Sequence, residues 1–247
     1  MNGPHLTPAL ATRVLVPAAL VAALAVVASG FGARFGVWGI GTAFTILHWG
    51  AYAALAIAVL ALAAAIVMTM ETRPRVVLMI ACVVAAIAGA VPVAWFQRAL
   101  SLPSINDIST DTVDPPPFAA ILSLRAGSKV PATYAGKATA DAQKLAYPDI
   151  APVVLADAPA AAFAKALAAA RAEGWTIIAS DTGSGRIEAT ATTPWFGFRD
   201  DVVVRIRPDG RGSRVDVRSL SRIGKGDLGA NAKRVREFSA AVAAASP

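Results

Sequence analysis

Three long apolar runs in the first hundred residues constrain this chain more than any other feature. Val14–Phe31 carries no charge, a second run extends from about Phe44 to Met70, and a third from Val76 to Phe96. Each reaches the ~18–20 residues needed to cross a hydrocarbon core of ~30 Å. Helices of a soluble core keep a polar stripe, and these runs have none. Trp38, Trp49, Trp95 and Phe96 stand near the run ends, where interfacial aromatic belts are expected. Residues 1–97 therefore read as a transmembrane region with helices at about 14–31, 44–70 and 76–96.

Charge divides the chain at the same place. Before Ser101 there are five Arg, no Lys and one acid, Glu71; the remaining 18 basic residues and 15 acids all follow. Arg13 before the first run and Ala28, Ser29 and Gly30 near its end resemble a signal peptide. Two further spans follow directly, so an uncleaved anchor is expected. The linker ETRPR holds Arg73 and Arg75, and with Arg13 these outnumber Arg34 and Arg98 on the opposite side. The positive-inside tendency then places the N-terminus in the cytoplasm and the C-terminal half outside, in a multi-pass inner (plasma) membrane protein. Cys82, the one cysteine, lies in the third run, so no disulfide framework exists.

The second half reads as a soluble α+β domain, 118–247, behind a proline-ended linker, 98–117 (its SLPSINDISTDTVDPPP tract suits an extended strap). Short helices are expected at Phe118–Leu124 and Ala138–Ala146, and a strand at Pro152–Leu155. Asp157 is placed to cap a helix over Ala158–Glu173, which Gly174 ends. Strands follow at Trp175–Ser180, Arg186–Thr193, Asp201–Arg207 and Ser213–Leu220, the last two joined by the PDGRG turn. A last helix, Leu228–Ala244, follows Asp227. The order implies an antiparallel sheet with helices on one face.

Alternation assigns the two faces. Val202, Val204, Ile206, Val215 and Val217 point to the helices. Asp201, Arg205, Arg207, Arg214, Asp216 and Arg218 point the other way, with Arg218 set near Asp201, and Arg205 near Arg214 and Asp216. This face reads either as a solvated lattice of ion pairs or as a charged surface for an anionic ligand. The second reading gives a candidate binding surface of Asp201, Arg205, Arg214, Asp216, Arg218, Ser219, Ser221, Arg222 and Lys225. Residues 199–236 hold nine Arg and two Lys against five Asp. Such an imbalance can attract lipid phosphates or anionic polymers.

Several chemistries are excluded. Both histidines, His5 and His48, precede the soluble half, which therefore lacks a Ser-His-Asp or Cys-His system and a Cys/His zinc site. No GxxxxGK[ST] loop or strand-linked GxGxxG occurs. Asp201, Asp216 and Glu188 could form an acid–base pair for glycan or ester hydrolysis, but neighbouring arginines favour ion pairing over a protonated acid. Asp107, Ser109 and Asp111 alternate like the start of a calcium loop, yet Thr112 and Phe118 occupy the positions that need Gly and Glu. Trp195, Phe196 and Phe198 either grip a ligand or close a core edge. No catalytic residue, metal ligand or cofactor is assigned.

NDISTDTVDPP, AYPDI, GWTIIAS, IEATATTPWFGFRDDVVVRIR and GSRVDVRSLSRIGKGDLGANAKRVREF occur in that order. Together they resemble the bacterial and plastid family called domain of unknown function 1499, over about Ser101 to Phe238. The resemblance implies a membrane- or envelope-associated module without an assigned activity or catalytic residues. The expected function is an extracytoplasmic binding or accessory module. Its partners would be the lipid bilayer and an anionic ligand or envelope protein, with no nucleic acid. A carboxylate enzyme and an accessory subunit of a membrane transport or assembly complex are the alternatives.

Overall fold

A computed structural model of the chain describes residues 7–69 and 71–244. His5, Met70 and the last residues of the chain lie outside the described residues. The chain divides into two compact units: residues 1–98 with Pro194–Gly197, and residues 99–193 with 198–247.

The first unit contains three helices long and apolar enough to cross a membrane: α1 (Pro8–Arg34), α2 (Ile40–Val67) and α3 (Thr72–Leu100). They extend beyond the uncharged runs because Arg13, Arg34 and Arg98 continue the helical turns. The second helix stops earlier than expected, where Met68 turns extended. The helices meet along small side chains. Ala19 and Ala22 of α1, Ala54 and Ala58 of α2, and Ala81 and Ala85 of α3 form one buried cluster. Large side chains such as Leu24, Val59 and Ile80 face outward. In lipid, where apolar burial gives helices no reason to associate, close backbone packing across small residues supplies the attraction. The Pro194–Gly197 segment belongs to this unit, and its Trp195 and Phe196 rings meet edge-on at 4.8 Å.

The second unit is an α+β domain. Its elements are β1 (Asp107–Ser109), a 3-10 turn (Ala120–Arg125), α4 (Lys137–Ala146), β2 (Val153–Leu155), α5 (Pro159–Ala172), β3 (Thr176–Asp181), β4 (Arg186–Thr192), β5 (Arg199–Asp209), β6 (Gly212–Ser221) and α6 (Ala230–Ala244). The antiparallel sheet runs β1-β6-β5-β4-β3, and β2 shares the β6 edge with β1. β1 pairs with Arg218–Leu220 and β2 with Ser213–Val215, so two short segments cover one edge end to end. Covering an edge in this way removes a template for unwanted strand pairing. The proline-ended tract read as a linker thus contributes a strand to the sheet.

Ile187, Ala189, Val202, Val204, Ile206, Val215 and Val217 share one face, and α5 and α6 bury it through Phe163, Ala166, Val235 and Phe238. Trp175 stacks on Phe238 with ring centroids 5.0 Å apart. A second, smaller core forms on the opposite face from Phe118, Ile121, Val203 and Leu220. The chain from Thr110 to Tyr134 lies over that face as a strap.

Three local expectations need correction. The β5–β6 hairpin closes at Asp209–Gly212, which sets Asp201 opposite Leu220 and Arg218 opposite Val203, rather than Arg218 beside Asp201. Ala158, not Asp157, is the N-cap of α5; Asp157 accepts from Lys165 at 2.7 Å. The last helix begins at Ala230 because Leu228 and Gly229 both adopt positive φ. Asp227 still caps it, accepting from the amides of Gly229 and Asn231.

Candidate functional site

The residues singled out from the sequence separate onto the two sheet faces. On the strap side, Glu188, Asp201 and Asp216 are fully buried. The Glu188 carboxylate accepts from the amides of Ala119 (2.9 Å), Ala120 (3.2 Å) and Ile121 (2.9 Å). It therefore caps the 3-10 turn from a neighbouring strand, answering the donors that a helical N-terminus leaves unpaired. Asp201 is held by Arg125, by Arg222 at 2.8 Å and by the Thr190 hydroxyl at 2.9 Å. Asp216 is surrounded by Arg205 (3.0 Å), Arg207 (3.1 Å) and Arg214 (2.9 Å).

The strap brings further acids to the same arginines. Asp111 receives Arg214 at 2.7 Å, and Asp114 receives Arg205 at 3.0 Å and Arg207 at 3.1 Å. Burial works to raise the Asp111 carboxyl. The amides of Asp114 and Val113 and the charges of Arg214 and Arg205 outweigh it and hold the group below its ordinary value. The arginine excess of residues 199–236 is thus partly balanced inside the chain. Asp107, Asp111 and Asp114 stand in a tract, 101–117, that has no basic residue.

Arg218 is 2% exposed, the largest of the fully buried side chains. Its guanidinium meets Asp107 bidentately at 2.8 and 2.7 Å and donates to the carbonyls of Pro116 and Ala132. It also lies 4.9 Å from the Phe118 ring centroid and 5.3 Å from that of Tyr134, between two aromatic faces. A planar fork with delocalised charge suits such a slot; a lysine would not fill it. Burial pushes the Asp107 carboxyl above its ordinary value against the opposing pull of Arg218.

Ser219 and Ser221 belong to the helix side. Ser219 donates to Asn231 at 2.6 Å, Asn231 donates to Ser221 at 2.9 Å, and Arg234 joins Asp200 at 2.8 Å. These contacts seat the first turns of α6 on β6. The adjacent Asp200 and Asp201 serve opposite faces, as strand alternation requires. Lys225 alone among the candidate binding residues is exposed.

A cleft of about 330 Å³ opens beside the Asp107–Arg218 pair. Ile105, Asn106, Asp107, Val130, Tyr134 and Thr139 contribute to its wall. It adjoins neither Ser219 nor Arg222. The Tyr134 hydroxyl is buried and has no hydrogen-bond partner among the described residues. Burial first, and then the charge of Asp107, push its pKa up to about 12, so it stays a neutral donor at physiological pH. Ser104, Asn106, Thr133 and Thr139 add short polar groups to a wall that Ile105, Val130 and Leu220 make partly apolar. A small hydroxylated or carbonyl-bearing molecule matches this lining; a free carboxylate or phosphate would find no uncommitted cation there.

Sequence reasoning weighed Asp107 only as part of a calcium loop and missed its pairing with Arg218, and it missed Arg125 and Tyr134 altogether. One signal was available: a +6 excess in one segment beside an acid-only tract is what intrachain charge pairing produces. Arg125 and Tyr134 carried no such signal, because their roles depend on how the strap crosses the sheet. Among the described residues, no group of three His, Cys, Asp or Glu is placed to hold a metal.

An N-terminal set of candidate membrane helices joined to a six-stranded antiparallel α+β domain defines the class of this protein. Residues 107–242, more than half of the chain, match the family model described as Protein of unknown function (DUF1499), and the chain belongs to that family. No curated protein matches the chain.

Proposed function

We propose that this chain is a multi-pass inner (plasma) membrane protein that presents its α+β domain on the extracytoplasmic side as a binding or accessory module. The domain acts through recognition and not through a reaction of its own. One observation carries the reading: Asp201, Asp216 and Glu188 are fully buried, and each is saturated by arginine or backbone donors. A general acid needs access to substrate, and carboxylates buried and held this way have none. The cleft beside Tyr134 retains an uncommitted polar group and is the place for a ligand. Its volume lies at the lower end of the range for small-molecule pockets.

Reporter fusions after Pro247 test the placement. Active periplasmic phosphatase and dark cytoplasmic fluorescence are expected; the reverse pattern overturns it. Native mass spectrometry of the full chain, released gently from detergent, tests the binding role. A retained small-molecule adduct is expected in the wild type and not in Thr139→Trp, which fills the cleft. A wild type without any adduct, together with turnover of glycan or ester substrates, would replace the binding module with an enzyme.

A further inference from the structure

The loop between β6 and α6 holds an apolar residue that the domain's own folding does not explain. Leu228 has φ +57° and is 57% exposed. The left-handed region is costly for a residue with a Cβ and favours Gly or Asn. A leucine that buries little there gains nothing from the fold in return. Strained backbone positions cluster where a residue serves a functional contact. Lys225, three positions earlier, is also exposed and has no ion-pair partner among the described residues.

The loop is pinned to the chain just after the third apolar helix. Asn106 donates its side-chain amide to the Gly224 carbonyl. A Cβ on Gly226 would touch Ser104 at 3.4 Å, and one on Gly229 would touch Leu102 at the same distance. Leu102 follows the end of α3 at Leu100 by two residues, a covalent path of at most about 7 Å. The 29 residues of α3 extend about 43 Å at ~1.5 Å per residue. That length matches a bilayer of ~40–45 Å with its headgroups included. Covalent reach alone therefore keeps the loop near the headgroup layer into which α3 emerges.

We infer that Ile223–Leu228 is a lipid-contacting loop. Leu228 enters the interface and Lys225 meets the phosphates of anionic lipids. The inference rests on the membrane reading above but not on which side of the membrane the domain occupies. A leucine and a lysine are the pair that interfacial insertion uses: an apolar tip and a cation at phosphate level. The favourable contact with lipid offsets the strain at Leu228, which explains why neither Gly nor Asn stands there.

The test uses the full-length protein with Cys82→Ser and Leu228→Cys, labelled at residue 228 with the fluorophore NBD. It is reconstituted into phosphatidylcholine vesicles with or without phosphatidylglycerol. The expected result is blue-shifted emission and roughly twofold or greater quenching by lipids spin-labelled near the headgroup. Lys225→Glu should reduce that quenching in phosphatidylglycerol vesicles and leave it unchanged in phosphatidylcholine alone. Emission equal to that of NBD-cysteine in buffer, with the protein's tryptophans still quenched by the same lipids, overturns the loop assignment alone. Unquenched tryptophans would remove the membrane reading, and this inference with it.

Discussion

At the residue scale, the Asp107–Arg218 pair decides most about the domain. A buried arginine is tolerable only when its charge and all its donors are answered, since removing one partner leaves an uncompensated charge in a poor solvent. Asp107→Ala should therefore destabilise the domain by about 3–5 kcal/mol, measured by denaturant unfolding of the detergent-solubilised chain. Asp111 makes a second prediction, with the sign set by its depressed pKa. A carboxyl lowered in the folded state contributes stability that is complete above its unfolded pKa of about 3.9 and is lost as pH falls through the folded value. The gap in stability between wild type and Asp111→Asn should thus be constant above about pH 5 and close progressively below pH 4. A gap that widened on acidification would reverse the assignment. Asp107 has the opposite sign: its pKa is raised, so folding favours its protonated form as pH falls.

At the element scale, the strap turns a charged sheet face into an interior. Its 3-10 turn has no N-cap side chain of its own and borrows Glu188 from β4. Glu188→Gln keeps the shape but replaces one acceptor oxygen with a donor, leaving a buried amide unmet at a cost of about 1–3 kcal/mol. Hydrogen exchange should quicken at Ala119–Ile121 and stay slow in the β4–β5 ladder; uniform acceleration would mean that the carboxylate supports the whole sheet instead. The same strap marks the limit of what the sequence could disclose. Alternation in β4, β5 and β6 was legible because a period of two is local. The face assigned to Asp201, Arg205, Asp216 and Arg218 was right for the same reason. What covers that face was not legible, since Phe118 and Ile121 reach Val203 and Leu220 across more than eighty residues of chain. β1 was hidden too: three residues show no periodicity, and they become a strand only against Arg218–Leu220. The register error came from the turn: it was expected at Asp209-Gly210 and closes at Gly210-Arg211, and moving the turn by one position shifts every cross-strand partner by two residues.

At the scale of the whole molecule, two units are stabilised by unlike forces. The domain rests on apolar burial and a saturated ion network; the helical unit rests on close approach across small residues. Gly89 tests the second. A Cβ placed there would lie 2.6 Å from the Ala51 carbonyl and as close to Leu55, so α3 could not keep its distance from α2. Gly41 offers a control on the same unit, because a Cβ there meets nothing within 4 Å. Gly89→Val should lower the stability of the helical unit by about 1–3 kcal/mol, the usual range for overpacking, whereas Gly41→Ala should be neutral or slightly stabilising. Thermal unfolding in detergent reports both. Gly89 and Asp107 belong to different units, so their effects should add within about 0.5 kcal/mol. Near-UV dichroism of Trp175 against Phe238 in the domain core should then survive Gly89→Val and be lost earlier in Asp107→Ala. A coupling well above that margin would mean that the helical unit and the domain unfold as one cooperative body.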